Sequence, residues 1–397
     1  MVQQQKTPTL RFKEFDDEWN NFKIGDIFSV TRGQVLAVNQ IKEHKDDDNS
    51  YPVYSSQTKN DGLLGYYDKY LFDTAITWTT DGANAGTVSF RNGKFFSTNV
   101  NGVLLSKNGF ANKTVAEALN NVAWRYVSRI GNPKLMNNVM AEIMLSLPSF
   151  PEQSAIGSLF QTLDELLSAY KDNLANYQAF KATMLSKMFP KAGQTTPEIR
   201  LDGFDGEWEV NTLNNLATFS KGNGYTKGDL SENGQPIILY GQLYTNYQTV
   251  ISESATFVAK IKDNSVFSEG GEVIVPASGE SSEDISRASV VDAKGILLGG
   301  DLNIIKVNQD TVDSVFLALT ISNGSQQREL IKRAQGKSVV HLRNNDLEKV
   351  ILTFPSIEEQ RAIGAFFANI DDLIASQQDK IAELETLKKK LLQNMFV

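Results

Sequence analysis

The 397-residue sequence predicts an α+β protein with two pseudo-repeated globular domains. Two long antiparallel coiled-coil-like helices join them in a pseudo-two-fold arrangement. Three observations predict this. A lead-in is written twice, since Thr7-Pro8-Thr9-Leu10-Arg11 through Phe15-Asp16-Asp17-Glu18-Trp19 matches Thr196-Pro197-Glu198-Ile199-Arg200 through Phe204-Asp205-Gly206-Glu207-Trp208 at 7 of 13 positions, 189 residues on. A helix start is also written twice, with Pro148–Phe160 and Pro355–Phe367 sharing 8 of 13 positions at an offset of 207. Each start then leads into a long amphipathic stretch. The difference between the two offsets places about 18 extra residues inside the second copy. Repeated frames around divergent interiors read as one scaffold presenting two different heads.

The repeat sets the boundaries: a first head over 1–147, a central helix over 148–190, a second head over 191–354 and a C-terminal helix over 355–397. Within each head, short β-rich runs (Thr74–Thr79, Thr87–Phe90 and Gly102–Leu105; Pro236–Tyr240, Glu272–Pro276 and Gly295–Leu298) alternate with Gly/Asn-rich turns. A helix follows late in each head, over Val115–Val127 and Val312–Ala334. A last strand, Glu142–Leu147 or Lys349–Phe354, leads into the repeated Pro-Ser. Ser149 with Glu152, and Ser356 with Glu359, fit the S-x-x-E capping box that opens a helix.

From there apolar residues recur at spacings of three and four. Ile156, Leu159, Leu163, Leu166, Tyr170, Leu174, Tyr177, Met184 and Met188 form the stripe of the first helix, and Ile363, Phe366, Ile370, Leu373, Ile381, Leu384, Leu391 and Met395 that of the second, which breaks only at Gln377. One gap, Lys181, is matched by Lys388. At ~1.5 Å per residue the first helix is about 57 Å long. The linker 191–196 spans only ~20 Å and cannot run back along it. Mutual burial of the two stripes therefore requires antiparallel helices, with the heads at opposite ends of a rod.

Composition narrows the function classes. With 41% hydrophobic and 22% charged residues the chain reads as soluble and globular. The absence of an apolar leader, of a membrane-length run and of any cysteine points to the cytoplasm. The net charge of −8 opposes bulk attraction to nucleic acid. It is unevenly spread, because residues 1–145 carry 16 basic and 15 acidic groups while 191–354 carry 15 and 21. A DNA-facing surface would have to be a local patch. Catalytic signatures are missing. No D/N-P-P-Y/F/W run and no G-x-G-x-x-G is present, and Ile331 stands where a P-loop ending in Gly336-Lys337-Ser338 needs its first glycine. Two histidines, His44 and His341, make a zinc site improbable.

The doubled P-x-x-R…F…E-W lead-in and the P-S-x-x-E-Q-x-x-I-G helix start resemble the specificity subunit of type I restriction–modification enzymes. So does the passage from Ala334-Gln335-Gly336-Lys337-Ser338 to Asn345-Asp346-Leu347 and Pro355. The resemblance spans essentially the whole chain. It implies two target-recognition domains that each read half of a split double-stranded DNA target, and helices that set the gap and dock two methyltransferase subunits. Restriction/translocase subunits would join that core. Catalysis, S-adenosylmethionine, ATP and magnesium would belong to those partners, with no cofactor, metal or membrane for this chain. The segment Arg129-Ile130-Gly131-Asn132 departs from the Ala-Gln-Gly-Lys turn.

Side chains suited to bases and phosphates mark the DNA-binding candidates. Arg32 and Gln34, and Lys221, Asn223, Tyr225 and Lys227, follow the lead-in at corresponding places. Thr79, Thr80 and Asn84, and Ser278, follow strands in small-residue loops. Lys59, Asn60 and Gln242 are weaker candidates. Arg328, Lys332, Arg333, Lys337 and Arg343 form a basic cluster against one acid, Glu329, with Arg125, Arg129 and Lys134 as partial counterparts. From the residues alone, an adaptor joining two protein ligands and an enzyme with an unrecognised site remain open alternatives.

Overall fold

The computed structural model describes residues 7–56, 59–336 and 339–397. One compact unit holds the chain up to Asp172 together with Gln378–Val397, and the other holds Asn173–Gln377.

In the first unit a six-stranded sheet has the order Ser29–Arg32, Asn101–Leu105, Phe72–Thr79, Val88–Ser97, Tyr51–Tyr54 and Leu63–Tyr67. Its pairings are antiparallel except that Tyr51–Tyr54 runs parallel to Val88–Ser97. The helix Lys113–Ala123 packs on this sheet. Its N-cap, Asn112, accepts from the Val115 N–H at 3.0 Å, as a cap asparagine does. Ile76, Trp78, Leu104 and Leu119 form the core beneath.

The second unit builds its head differently. A five-stranded sheet (Ala217–Lys221, Leu302–Val307, Glu272–Pro276, Ser289–Val291, Val250–Ile251) lies beside a four-stranded one (Leu230–Ser231, Phe257–Val258, Gln235–Ile238, Leu297–Leu298). The single helix expected over 312–334 is two, Ser314–Ser322 and Gly324–Arg333. The break falls at extended Asn323 and at Gly324, whose φ of 67° is cheap only for glycine.

The frames, in contrast, repeat their strand register and their main polar contacts. Asn20–Lys23 pairs with Met144–Leu147, and Glu209–Thr212 with Ile351–Phe354, in the same register. The arginine of each lead-in makes a two-pronged ion pair with the glutamate of each helix start. Arg11 reaches Glu152 with both bonds at 2.7 Å, and Arg200 reaches Glu359 at 2.8 and 2.7 Å. Both carboxylates are buried. This corrects the capping-box expectation. Ser356 Oγ does accept from the Glu359 N–H (3.4 Å), but the two glutamates turn to arginine and not back to the cap. The adjacent glutamines are also structural. Gln153 donates to the Pro148 carbonyl and accepts from Asn112, while Gln360 donates to the Pro355 carbonyl and accepts from the Asp313 N–H. Each thereby locks the capping residue of a head helix to the long helix. Trp19, Phe160 and Phe396 meet in one unit, and Trp208, Phe367 and Phe189 in the other.

The long helices are Phe150–Lys187 and Ile357–Asn394. In the first unit Lys171 pairs with Glu385 and Asp164 with Lys388, so the paired segments run antiparallel. The stripe is a strict alternation of four and three: Ile156, Phe160, Leu163, Leu167 in one helix and Ile363, Phe367, Ile370 and the half-buried Ile374 in the other. Leu166 and Leu373 are therefore corrected, since both flank the seam at 43% exposure. Apolar residues stand side by side at 166–167 and at 373–374, and only the 3.5-residue period decides between them. Leu174 is half-buried, and Leu384 packs partly on the first unit's core. The gap lysines continue the stripe. Lys181 pairs with Asp371, and Lys388 with Asp164 at 2.6 Å, one ion pair written twice. Burial works against ionisation of Asp164, but hydrogen bonds from Lys113 and Lys388 outweigh it and hold the carboxyl below its usual range.

Candidate nucleic-acid interface

In each head a strand of the frame runs out at a basic residue. Ser29–Arg32 is held by Asn101–Leu105, and Ala217–Lys221 by Leu302–Val307, with Arg32 opposite Gly102 and Lys221 opposite Asn303. The next residue is glycine in both. The Gly33 N–H donates to the Asn101 carbonyl (3.1 Å) and the Gly222 N–H to that of Leu302 (2.9 Å). A Cβ at Gly33 would overlap the Thr98 and Ser97 carbonyls, and one at Gly222 those of Gly299 and Leu298. Glycine is needed here for close approach of two backbones. Gln34 then bonds the Ser97 carbonyl, and Asn223 that of Leu298, through their own N–H groups (2.9 and 3.1 Å).

A hairpin closes on this strand exit. Ser128 and Lys134 exchange backbone bonds at 2.8 and 2.9 Å, and Gln335 and His341 do so at 3.1 and 2.8 Å. The Leu135 N–H then donates to the Thr80 carbonyl, and the Leu342 N–H to that of Ala277 (2.9 and 3.0 Å). Ser128 and Lys134 thus stand where Gln335 and His341 stand in the second head, although the residues between them differ in sequence. At the base of the hairpin Asn137 donates to the Thr31 carbonyl (3.4 Å) and Asn344 to that of Ser220 (3.1 Å). Neither asparagine stood out in the sequence. Extending the 207 offset upstream of Pro148 would have found them, because Leu-x-Asn-Asn recurs at 135–138 and 342–345.

In the first head Asp81 sits between two cations, 3.7 Å from Arg32 and 3.7 Å from Lys134. Arg32 is exposed, as are Gln34, Arg125 and Arg129; the Arg125 guanidinium lies 5.6 Å from the Trp124 ring. In the second head Lys221, Asn223, Lys227, Arg328 and Lys332 are exposed, and the Asn223 amide donates to the Asn264 carbonyl.

Several expected contacts are structural instead. Thr79 is buried, and so is Thr80, whose hydroxyl serves Asp81 and the Val100 carbonyl. Ser278 is buried in a strand pair with His341. Tyr225 is buried, with its hydroxyl on Ser265 and the Lys262 N–H. Gln242 spends its amide on the Leu239 N–H and on Thr256. Arg333 pairs with Glu329 one turn back. Asn84 is half-buried in a tight turn. Asn60, in a left-handed conformation (φ 50°), is exposed. The side chain of Lys59 and all of Lys337 lie outside the described residues.

Among the described residues no group of three or more acidic or histidine side chains is placed to hold a metal. None of their helices is long and apolar enough to cross a membrane.

Comparison with known proteins agrees with this duplicated layout. The type I restriction modification DNA specificity domain matches twice, over residues 16–202 and 205–386. The type I restriction enzyme MjaVIII specificity subunit of Methanocaldococcus jannaschii is 21% identical over 95% of this chain and 91% of its own length. The MpnII specificity subunit of Mycoplasma pneumoniae is 36% identical over 37% of this chain, and the chain spans only 44% of that relative's length. Among solved structures, the type I restriction–modification S subunit from M. genitalium aligns with 98% of this chain and 99% of its own at a TM-score of 0.66 and 16% identity, a likeness of fold. With two matches that together take in most of the sequence, the chain belongs to the type I restriction–modification DNA specificity family.

Proposed function

We propose that this chain is the non-catalytic DNA-recognition subunit of a type I restriction–modification complex. On this reading residues 1–147 and 191–354 are target-recognition domains, each reading one half of a bipartite duplex target. Residues 148–190 and 355–397 are spacer helices that fix the gap and dock two methyltransferase subunits, with restriction/translocase subunits joining outside. S-adenosylmethionine, ATP and magnesium would act on those partners, in the cytoplasm. The observation that carries the reading is the duplicated strand exit, where an exposed cation precedes an obligatory glycine in two heads that otherwise differ. Arginine or lysine at such an edge suits guanine or phosphate recognition. The overall negative charge then leaves much of the phosphate neutralisation to partner subunits.

The test is a methylome. Exchange of residues 15–145 for the first head of another member, expressed with the methyltransferase, is expected to change one half of the target and leave the other as it was. Change in both halves would contradict independent heads. Absence of salt-dependent DNA binding by the assembled complex would favour an adaptor joining two proteins. Spacing has its own test. The chain crosses between its units twice, after Asp172 and after Gln377. Four residues added at both crossings, about one helical turn or ~6 Å, are expected to lengthen the gap by ~2 base pairs with both half-sites retained. An unchanged gap in an active complex would remove the helices as the ruler.

Asp81 supplies a further prediction. Asp81→Asn releases Arg32 and Lys134 from their shared counter-ion and is expected to tighten non-specific DNA binding severalfold while steepening its salt dependence. Salt titrations of the complex on a duplex lacking the target would measure this, and weaker binding would place these cations away from DNA.

A further inference from the structure

We propose that Asn137 and Asn344 are equivalent positioning residues, each fixing the strand exit from which its head reads DNA. The inference rests on the DNA-reading proposal and adds the residues that hold the reading cation in place. In both heads the side-chain amide donates to a frame-strand carbonyl, that of Thr31 (3.4 Å) or Ser220 (3.1 Å). Those carbonyls belong to the residues immediately before Arg32 and Lys221. The two amides stand 207 residues apart while their acceptors stand 189 apart, so the same bond has survived an insertion of 18 residues between its partners. Neighbouring positions were not kept in the same way. Arg32 corresponds to Lys221, and Lys134 to His341.

The geometry explains what the bond does. Each asparagine opens a short helix, Asn137–Glu142 or Asn344–Leu347, directly after the hairpin. Its amide therefore ties the hairpin strand to the outer edge of the frame strand, where that strand leaves its last ladder partner. Each asparagine is half-buried, and its Oδ1 is sealed from solvent without a hydrogen-bond partner, so the frame-strand carbonyl is the contact that holds the side chain in the fold. Gly33 and Gly222 clamp the chain one residue beyond the cation, and the asparagine clamps it one residue before. A base reader held from both sides keeps its hydrogen-bond geometry, and displacement of about 1 Å is enough to lose it.

The test uses the full chain assembled with its methyltransferase, and duplexes carrying the target mapped by methylome or a single-base change in one half. Asn137→Ala is expected to reduce discrimination about tenfold at the first half only, the low end of what a good base contact supplies, and Asn344→Ala to do so at the second half only. Salt dependence should stay unchanged, because no phosphate contact is removed. Asn137→Leu and Asn344→Leu keep the size but lose the donor without adding charge, and should behave like the alanine variants. Wild-type discrimination in the leucine variants, or equal loss at both halves in step with melting temperature, would overturn positioning in favour of simple packing. Arg32→Ala and Lys221→Ala serve as the reference. If they also leave both halves unchanged, the strand exit is not the reading element and the broader proposal falls with this one.

Discussion

Arg200→Ala is expected to lower the stability of its unit by about 3–5 kcal/mol, the cost of leaving a buried carboxylate without its partner. Glu359 is 2% exposed, and its two oxygens are taken by Arg200 Nε and Nη2 at 2.8 and 2.7 Å. The same guanidinium also holds the Asp205 and Gly206 carbonyls, so its loss frees the lead-in from the helix start. Arg11→Ala should have a comparable effect in the first unit through Glu152 and the Asp17 carbonyl. Urea titration followed by tryptophan fluorescence reads both, since Trp19 and Trp208 lie in the affected cores. Replacing both partners together, Arg200→Met with Glu359→Leu, should recover much of the loss. A single alanine change costing less than ~1 kcal/mol would mean that water reaches the carboxylate and the pair behaves as a surface bridge.

Gly33→Ala and Gly222→Ala are expected to be the most damaging small changes at the candidate interface. The added methyl meets backbone carbonyls and not a flexible side chain, so the strand exit itself must move. A destabilisation of about 2–4 kcal/mol confined to the altered head should follow. Methylation of targets through that head should fall about a hundredfold, equivalent to ~3 kcal/mol of base discrimination. Methylation assays on duplexes that test one half-site at a time would separate the two heads. Wild-type rates with Gly33→Ala would show that the exit is free to shift.

The frame was legible because it is written twice. Repetition exposed the lead-in, the helix start and the antiparallel helix pair, and the lysines at 181 and 388 already stood at matching places. Their acidic partners, Asp371 and Asp164, were not foreseen, because a heptad read only for apolar residues passes over a polar seam position. Leu166 and Leu373 were placed in the seam for a different reason, since an apolar neighbour follows each and three-and-four spacing fits either one. The interface was half legible. Arg32 and Lys221 are exposed at equivalent strand exits, whereas Thr79, Thr80, Ser278, Tyr225 and Gln242 have the composition of DNA contacts and serve the fold. Polar residues suited to bases are equally suited to buried carbonyls, and composition does not separate the two uses. The bridges Ser128–Lys134 and Gln335–His341 escaped detection because backbone bonds define them and the residues between differ in sequence.

The doubled Lys–Asp pair of the seam has a consequence for how such proteins diversify. Lys181 meets Asp371 and Lys388 meets Asp164, so each repeat offers its neighbour the same lysine and the same aspartate. Any repeat that keeps these, together with the Arg–Glu pair and the glutamine that holds the cap of its head helix, offers the same seam partners to any other. On the proposed reading, recombination between genes can then trade whole heads while the seam pairs stay as they are. A pool of n heads yields on the order of n² ordered pairs, and so a new restriction barrier can arise in one crossover, where point mutation would have to rebuild a reading surface residue by residue.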